Sequence, residues 1–152
     1  EDISKTISSN VSDLLKIEEL KKMRTLNYYE DFQEKADKVK INLVNFLIEQ
    51  KIKNKKVFAY GAAAKGNTLL NYCGIKNDLI EFVVDASPHK QGKYLPGSHL
   101  PIVNEEIIKK NKPDYILILP WNLKAEITDQ LDYIKEWDAK FVLPIPVLEI
   151  FQ

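Results

Sequence analysis

The sequence predicts an α/β fold, in which an open parallel sheet of about five strands is preceded by two helices. From Lys56 onward, short apolar segments alternate with segments of helical pattern, as they do in parallel βαβ units. One apolar segment, Tyr115–Leu119, shows no polar alternation, which is typical of a strand covered on both faces. Another, Val57–Tyr60, runs directly into a glycine turn and then into helix-forming residues. These observations favour a sheet flanked by helices over a β-sandwich.

The first part of the chain, residues 1–54, is predicted to be a helical lead-in that packs on the α/β domain, residues 55–152. Apolar residues recur in it every three or four positions, which indicates two amphipathic helices. The second helix also carries apolar residues outside its stripe, so it is predicted to bury more than one face, against its own core or against another domain. The first stripe comprises Ile3, Ile7, Val11, Leu14 and Leu15; the second comprises Tyr29, Phe32, Ala36, Val39, Leu43 and Phe46, with Ile41, Val44 and Ile48 outside it.

The same patterns assign the elements of the α/β region. Because ligands of an open parallel sheet bind beyond the carboxyl ends of its strands, the residues that follow each strand are the candidate site residues. The predicted strands are Val57–Tyr60, Ile80–Asp85, Tyr115–Leu119 and Lys140–Leu143, with a weak strand at Ile102–Val103. The predicted helices are Asn67–Cys73, Glu105–Asn111 and Lys124–Trp137.

Composition and charge disfavour several classes of protein. With 152 residues the chain has room for one domain with its own core, since domains commonly have roughly 100–200 residues. Its 22 basic and 22 acidic residues cancel, so neither a nucleic acid nor an anionic membrane is expected as a partner. No apolar stretch approaches the roughly 18 residues that span a bilayer, and a cytoplasmic location is expected. The single cysteine, Cys73, is predicted to be a buried apolar side chain.

The turn after the first predicted strand can hold an anion, because backbone N–H groups and the positive end of a helix dipole meet there. The dinucleotide fingerprint is incomplete, because Ala63 stands where a glycine lets the pyrophosphate approach. The P-loop is incomplete as well, because Asn67 stands at the lysine position. A looser anion site is therefore predicted, the alternative being that the glycines only allow the chain to turn. The predicted anion-binding residues are Gly61, Lys65, Gly66, Asn67 and Thr68.

Asp85 ends the second predicted strand, at a position from which a carboxylate reaches ribose hydroxyls in dinucleotide-binding folds. The alternative is that its side chain caps the turn at Pro88. The long loop that follows carries His89 and Lys90, which can reach phosphate or sugar oxygens, and loops of this length are often functional. A nucleoside is therefore a reasonable part of the predicted ligand.

Trp121 and Asn122 follow the predicted central strand, where an indole can stack on a base or sugar and an amide can fix its orientation. The alternative is that Trp121 belongs to the core. The sequence shows no Ser/His/Asp arrangement, no paired catalytic carboxylates and no metal-ligand spacing. No catalytic residue and no metal ligand are therefore predicted, and the chain has the character of a binding domain.

Several segments of the α/β region occur in the order in which a known family has its motifs. They are Tyr60–Asn71, Pro88–Gly92, Leu95–Gly97, Pro101–Ile102, Ile118–Asn122 and Phe141–Pro146. Over roughly residues 56–147 the sequence resembles the Rossmann-like C-terminal domain of SAM-dependent sugar C-methyltransferases. Because the motifs share their order, together they are far more specific than any one of them alone.

The resemblance implies a protein of three parts: an N-terminal zinc-binding domain, a central SAM-binding methyltransferase domain and a C-terminal domain that helps to hold the nucleotide-sugar substrate. SAM and zinc would be bound by the absent domains, and no cofactor is expected in this chain. The expected partners are the nucleotide-sugar ligand and the missing N-terminal and central domains of the same polypeptide. The catalytic base belongs to the absent parts, so the resemblance assigns no catalytic residue here.

The functional hypothesis is a substrate-binding C-terminal domain of a SAM-dependent methyltransferase that methylates a carbon of a nucleotide-activated sugar. The isolated chain is expected to be inactive. The alternative is a free-standing nucleotide or nucleotide-sugar binding module without methyltransferase activity. An NAD-dependent oxidoreductase is disfavoured because Ala63 replaces a fingerprint glycine.

Overall fold

The computed structural model describes residues 8–152, so the predicted stripe residues Ile3 and Ile7 lie outside the described part. The chain divides into two compact units, Glu1–Asp37 and Lys38–Gln152. The predicted domain boundary, between residues 54 and 55, stays a prediction.

From β1 onward helices lie between most of the strands, as the sequence predicts, but none lies between β2 and β3 or between β5 and β6. The helices are α1 (Ser9–Leu20), α2 (Phe32–Ile52), α3 (Ala64–Cys73), α4 (Glu106–Asn111) and α5 (Lys124–Gln130). The strands are β1 (Val57–Tyr60), β2 (Val83–Val84), β3 (Ile102–Val103), β4 (Tyr115–Ile118), β5 (Lys140–Leu143) and β6 (Glu149–Phe151). Short 3₁₀ helices lie at Leu26–Tyr29, Trp121–Leu123 and Asp132–Trp137.

The six strands form one sheet in the order β3-β2-β1-β4-β5-β6. The first five are parallel, and β6 is antiparallel to β5. The order of the strands reverses between β1 and β4, which makes this a doubly wound, Rossmann-like sheet with its switch point at that pair. The predicted α/β class is therefore confirmed, and β6 is an addition that the sequence did not predict.

Strand β4 lies at the centre of the core and is covered on both faces, as its unbroken apolar sequence predicts. Ile116, Leu117 and Ile118 are all fully buried, and alternate residues point to opposite sides of the sheet. Helices α2 and α3 cover one face, with α4, α5 and the third 3₁₀ helix on the other. Burial of each such side chain stabilises the fold by about 1.5–3 kcal/mol.

Helix α2 shows how the lead-in sequence contributes to this core. Its stripe residues Leu43 and Phe46 are buried with Leu47 against the sheet. Ile41 and Ile48 are exposed, so their burial against another domain stays a prediction. None of the helices described between Ser8 and Gln152 is long and apolar enough to cross a bilayer.

The helix predicted at Asn67–Cys73 begins three residues earlier, at Ala64, and two predicted elements differ more strongly from the structure. The second strand is limited to Val83–Val84, because the N–H of Ile80 is bonded to the carbonyl of Lys76 in the preceding turn and does not join the sheet. The long helix predicted at Lys124–Trp137 ends at Gln130 and continues as a 3₁₀ helix. The reason is that Leu131 departs from helical geometry, with φ −102° and ψ 19°.

Candidate functional site

The turn after β1 is shaped by a glycine that no other residue can replace without strain. Gly61 has φ +91°, and its N–H donates to the carbonyl of Val84 at 2.7 Å. A Cβ atom on Gly61 would lie 2.5 Å from Cδ of Pro120, the residue that follows Leu119 beyond β4. Gly61 therefore lets the carboxyl ends of β1 and β4 approach each other. We call the gap between these two strand ends the switch-point crevice.

Gly66 serves the packing of α3. It lies in the first turn of that helix and is buried, and a Cβ atom there would lie 2.6 Å from Cβ of Leu119. The third glycine of a dinucleotide fingerprint has the same role of close helix–strand packing. A contact between Gly66 and an anion stays a prediction.

Three predicted site residues meet at the switch-point crevice. The Lys65 ammonium group donates a hydrogen bond to Oδ1 of Asn122 and lies 5.2 Å from the centroid of the Trp121 ring. Trp121 is half-buried and touches both halves of the core, while Lys65 and Asn122 are exposed. The two alternatives weighed for Trp121 are thus combined in one side chain, because part of the indole packs in the core and part faces the crevice.

Asp85 is buried and its carboxylate is occupied by partners within the chain. Oδ1 accepts from the N–H of Ser87 at 2.9 Å, and Oδ2 accepts from the N–H of Ala62 at 2.7 Å and from the Lys90 ammonium at 3.0 Å. The capping alternative is therefore the arrangement seen, and it also fixes the glycine turn to the loop after β2. A contact of Asp85 with ribose stays a prediction.

The remaining predicted residues are not gathered at one point. Thr68 Oγ1 donates to the carbonyl of Ala64 at 3.1 Å, and Asn67 Oδ1 accepts from Asn71 Nδ2 at 3.2 Å. His89 lies exposed on the loop after β2. The amino end of α3 is uncapped, because Ala63 offers no side-chain acceptor to the first N–H groups of the helix. Lys65 lies in this first turn.

Sequence reasoning missed the role of Asn71. Its Nδ2 donates to the carbonyl of Pro96 at 3.0 Å as well as to Asn67, and Gly97, with φ +81°, has room for no Cβ beside the Asn71 side chain. This contact holds the far end of the β2–β3 connection against α3. Both segments belong to the motifs of the resembled family, but nothing in the sequence indicates that they touch.

A second missed feature is a polar network on the other face of the sheet. The Tyr60 hydroxyl donates to Glu105 Oε1 at 2.6 Å, and Gln130 Nε2 donates to both of these groups, at 2.8 and 2.6 Å. Burial, together with the hydrogen bond to Glu105, raises the pKa of Tyr60 above its usual value. Burial also raises the pKa of Tyr133, with the negative charge of Glu105 as a further cause. The network joins β1 to the helices α4 and α5.

This network predicts how stability depends on alkaline pH. Because the pKa of Tyr60 is raised in the folded protein, the stabilisation from its neutral phenol is present below about pH 10, where the unfolded phenol titrates, and is lost above it. Urea unfolding at pH 8, 10 and 11 is expected to show a smaller alkaline loss in Tyr60→Phe than in wild type. Equal losses in the two proteins would contradict the assignment.

The buried cysteine has the predicted character. Cys73 ends α3 within the core, and burial raises the pKa of its thiol to about 11. Such a thiol stays protonated at neutral pH and is a poor nucleophile.

A cavity of about 340 Å³ lies at the opposite, amino edge of the sheet. Its lining includes Phe58 and Phe82, whose rings pack edge to face, and also Lys51 and Lys56. The Lys51 ammonium is bonded to the carbonyl of Asp78. None of the predicted site residues lines this cavity, so it is separate from the switch-point crevice.

The crevice can recognise an anion joined to a planar group. It offers the Lys65 charge and the first N–H groups of α3 to the anion, and the Trp121 ring to the planar group. Among residues 8–152, His, Cys, Asp and Glu side chains nowhere gather in the groups of three or more that could hold a metal ion.

Comparison with known proteins agrees with the resemblance seen in the sequence. The chain matches the family model of the C-methyltransferase C-terminal domain over residues 1–146. It is similar to the C-methyltransferase NovU of Streptomyces niveus, at 34% identity over 136 residues, which cover 90% of this chain and 32% of NovU. The chain therefore spans about a third of the length of that relative.

Among solved structures, the chain is similar to the UDP-D-quinovosamine 4-dehydrogenase of Vibrio fischeri. The TM-score is 0.48 and the identity 16%, over 64% of this chain and 93% of the dehydrogenase chain. The family model, in contrast, extends over nearly all of the 152 residues. This protein chain belongs to the C-methyltransferase C-terminal domain family.

Proposed function

We propose that this chain is the substrate-binding domain of a SAM-dependent methyltransferase that methylates a carbon of a nucleotide-activated sugar. The observation that carries the proposal is the meeting of Lys65, Trp121 and Asn122 at the switch point of a doubly wound sheet. Ligands of such sheets bind at that point. Membership of the family supports methyl transfer as the reaction, and the residues of the crevice support a nucleotide-sugar as the substrate.

The three side chains fit different parts of a nucleotide-sugar. The diphosphate lies at the amino end of α3, where Lys65 adds a charge-assisted hydrogen bond to those of the backbone N–H groups. The exposed part of the Trp121 ring stacks on the base or the sugar, and Asn122 orients it. Lys65 then exchanges its hydrogen bond with Asn122 for one with the phosphate oxygens, which frees the amide for the ligand.

SAM and the catalytic base belong to another part of the protein in this proposal. The N–H of Ala62 is taken by Asp85, and Ala63 and Asn67 stand where the complete nucleotide fingerprints have a glycine and a lysine, so this turn is not expected to bind SAM. The chain's own residues bind and orient the sugar nucleotide. The methyl group comes from SAM held by the methyltransferase domain.

The proposal predicts that Lys65→Ala weakens binding of a nucleoside diphosphate about tenfold to a hundredfold. The reason is the loss of one charge-assisted hydrogen bond, worth about 1.5–3 kcal/mol. The melting temperature is expected to change little, because Lys65 is exposed. Calorimetric titration with ADP, CDP, GDP, dTDP and UDP measures the affinity whichever base is preferred.

The matched control is Lys56→Ala, which removes an exposed lysine just before β1, at the edge of the sheet opposite the switch-point crevice. It is expected to leave the affinity unchanged. Equal affinities of wild type and Lys65→Ala would show that Lys65 is only a surface charge. Binding of SAM to the isolated chain in the micromolar range would contradict the assignment of SAM to another domain.

A further inference from the structure

The cavity at the amino edge of the sheet exists because β2 begins late. Its first residue, Val83, lies opposite Ala59. No strand of the described chain therefore lies beside Val57 and Phe58 on this side of β1. The chain before β2 instead forms a turn, closed by two hydrogen bonds to the carbonyl of Lys76. The resulting space of about 340 Å³, which we call the amino-edge cavity, is lined entirely by residues of the larger compact unit. Sites for small molecules have volumes of about 300–1,000 Å³.

The apolar part of the lining is shielded from water and partly aromatic. Phe58 is buried and Phe82 is half-buried, and their ring centroids lie 4.6 Å apart at an interplanar angle of 62°. Leu47 and Leu79 add aliphatic side chains from the other half of the core. A further aromatic ring can pack against this pair in the edge-to-face geometry that aromatic rings favour. This part of the cavity therefore suits an apolar group of a small ligand.

The charged part of the lining carries both signs, and these charges are not paired with each other. The Lys51 ammonium is fixed without being neutralised, because it donates to the carbonyl of Asp78. Lys55, in contrast, is ion-paired with Asp114 at 2.7 Å. Among residues 8–152, the carboxylates of Asp78 and Glu81 have neither a hydrogen-bond donor nor an ion-pair partner. The cavity thus presents a positive group and negative groups that can each take a partner from a ligand.

We propose that the amino-edge cavity binds an apolar α-amino acid, at a site separate from the switch-point crevice. The carboxylate of the ligand accepts from the Lys51 ammonium, which has donors left beside its bond to Asp78. The ammonium group of the ligand donates to the Glu81 carboxylate, and its side chain packs on Phe58 and Phe82. A zwitterion fits because it brings a partner to charges of both signs. Lys51 and Glu81 are exposed, so the charged end of the ligand stays near water while its apolar end leaves water.

Three probes test the proposal on the wild-type chain by NMR titration. They are L-phenylalanine, phenylpropionate, which lacks the ammonium group, and phenethylamine, which lacks the carboxylate. We expect L-phenylalanine to bind saturably, with a dissociation constant of about 1 mM or below, and to shift the amide signals of Val57, Phe58 and Glu81. Each analogue is expected to bind about threefold to tenfold more weakly, because it loses one ion pair with an exposed side chain that water partly screens.

Two variants assign the charges to their partners. Glu81→Gln is expected to weaken binding of L-phenylalanine about threefold to tenfold and not to weaken phenylpropionate, which has no ammonium group for Glu81 to accept from. Lys51→Met is expected to weaken L-phenylalanine by a similar factor and not to weaken phenethylamine, which has no carboxylate. The matched control is Lys53→Met, which removes an exposed lysine that lies just after α2 and outside the lining of the cavity. It is expected to bind L-phenylalanine as wild type does.

Several outcomes would overturn the proposal. One is the absence of saturable binding of L-phenylalanine up to about 10 mM, and another is equal affinity of wild type for the three probes, which would show an apolar contact only. A third is amide shifts confined to residues outside the lining of the cavity. The comparison of probes on wild type does not depend on the folding of any variant. The nucleoside diphosphate titration of Lys65→Ala concerns the opposite edge of the sheet, so failure here leaves the proposed function standing.

Discussion

Gly61→Ala is expected to lower the free energy of unfolding by about 2–6 kcal/mol. Part of the loss is backbone strain, because φ at Gly61 is +91°, and part is overpacking, because the new Cβ would lie 2.5 Å from Cδ of Pro120. The clash cannot be relieved by a small shift, because the ring of Pro120 is rigid and the backbone of Gly61 is held by its hydrogen bond to Val84. Urea unfolding followed by circular dichroism measures the loss. Because domains are typically stable by only about 5–15 kcal/mol, the variant approaches the limit of folding.

Two further variants separate strain from overpacking. Gly74 also has a positive φ, +72°, but nothing lies within 4 Å of the position of its Cβ, so Gly74→Ala is expected to show strain alone. Adding Pro120→Ala to Gly61→Ala removes the ring that the Cβ meets. A double-mutant cycle is therefore expected to show a favourable coupling between the two positions. Additive losses would mean that the ends of β1 and β4 are not in the close contact that the structure shows.

The strands of the central sheet could be predicted because burial leaves a direct mark on sequence. The strands Val57–Tyr60 and Lys140–Leu143 have the predicted bounds. In an α/β sequence, a short apolar run between polar or glycine residues fits a buried strand better than any other element. Ile80 was misleading because it is fully buried, and burial in a turn leaves the same mark as burial in a strand. The edge strand Glu149–Phe151 shows almost no apolar pattern in the sequence, because only Phe151 packs inward, against Phe141.

The candidate site was predictable only to the level of which strand ends meet. Topology brings Lys65 to Trp121 and Asn122 because the carboxyl ends of β1 and β4 are neighbours at the switch point. The choice of partner by Asp85 was not predictable, because it depends on whether the N–H of Ala62 is within reach of the carboxylate. Competition between an internal donor and a ligand is decided by distances of a few tenths of an ångström, which no residue pattern records.

Asp85→Ala is expected to lower the free energy of unfolding by about 2–4 kcal/mol. The substitution leaves the half-buried N–H groups of Ala62 and Ser87 without their acceptor, and each loss is expected in the lower part of the range of about 1–3 kcal/mol for a buried donor without a partner. Urea unfolding measures the loss. The cost is large because Asp85 is buried and joins two connections of the sheet, the glycine turn after β1 and the loop after β2.

The matched variant Lys90→Ala removes the only cation bonded to Asp85 in the described chain and leaves both backbone hydrogen bonds in place. Its expected cost is about 0–1 kcal/mol, since the Lys90 side chain is 45% exposed and such pairs are screened by water. Comparable losses in Lys90→Ala and Asp85→Ala would show that the ion pair, and not the N–H acceptors, holds the turn. If the Asp85→Ala loss is the larger, the carboxylate is a structural brace of the crevice, and a ribose must find its acceptor elsewhere.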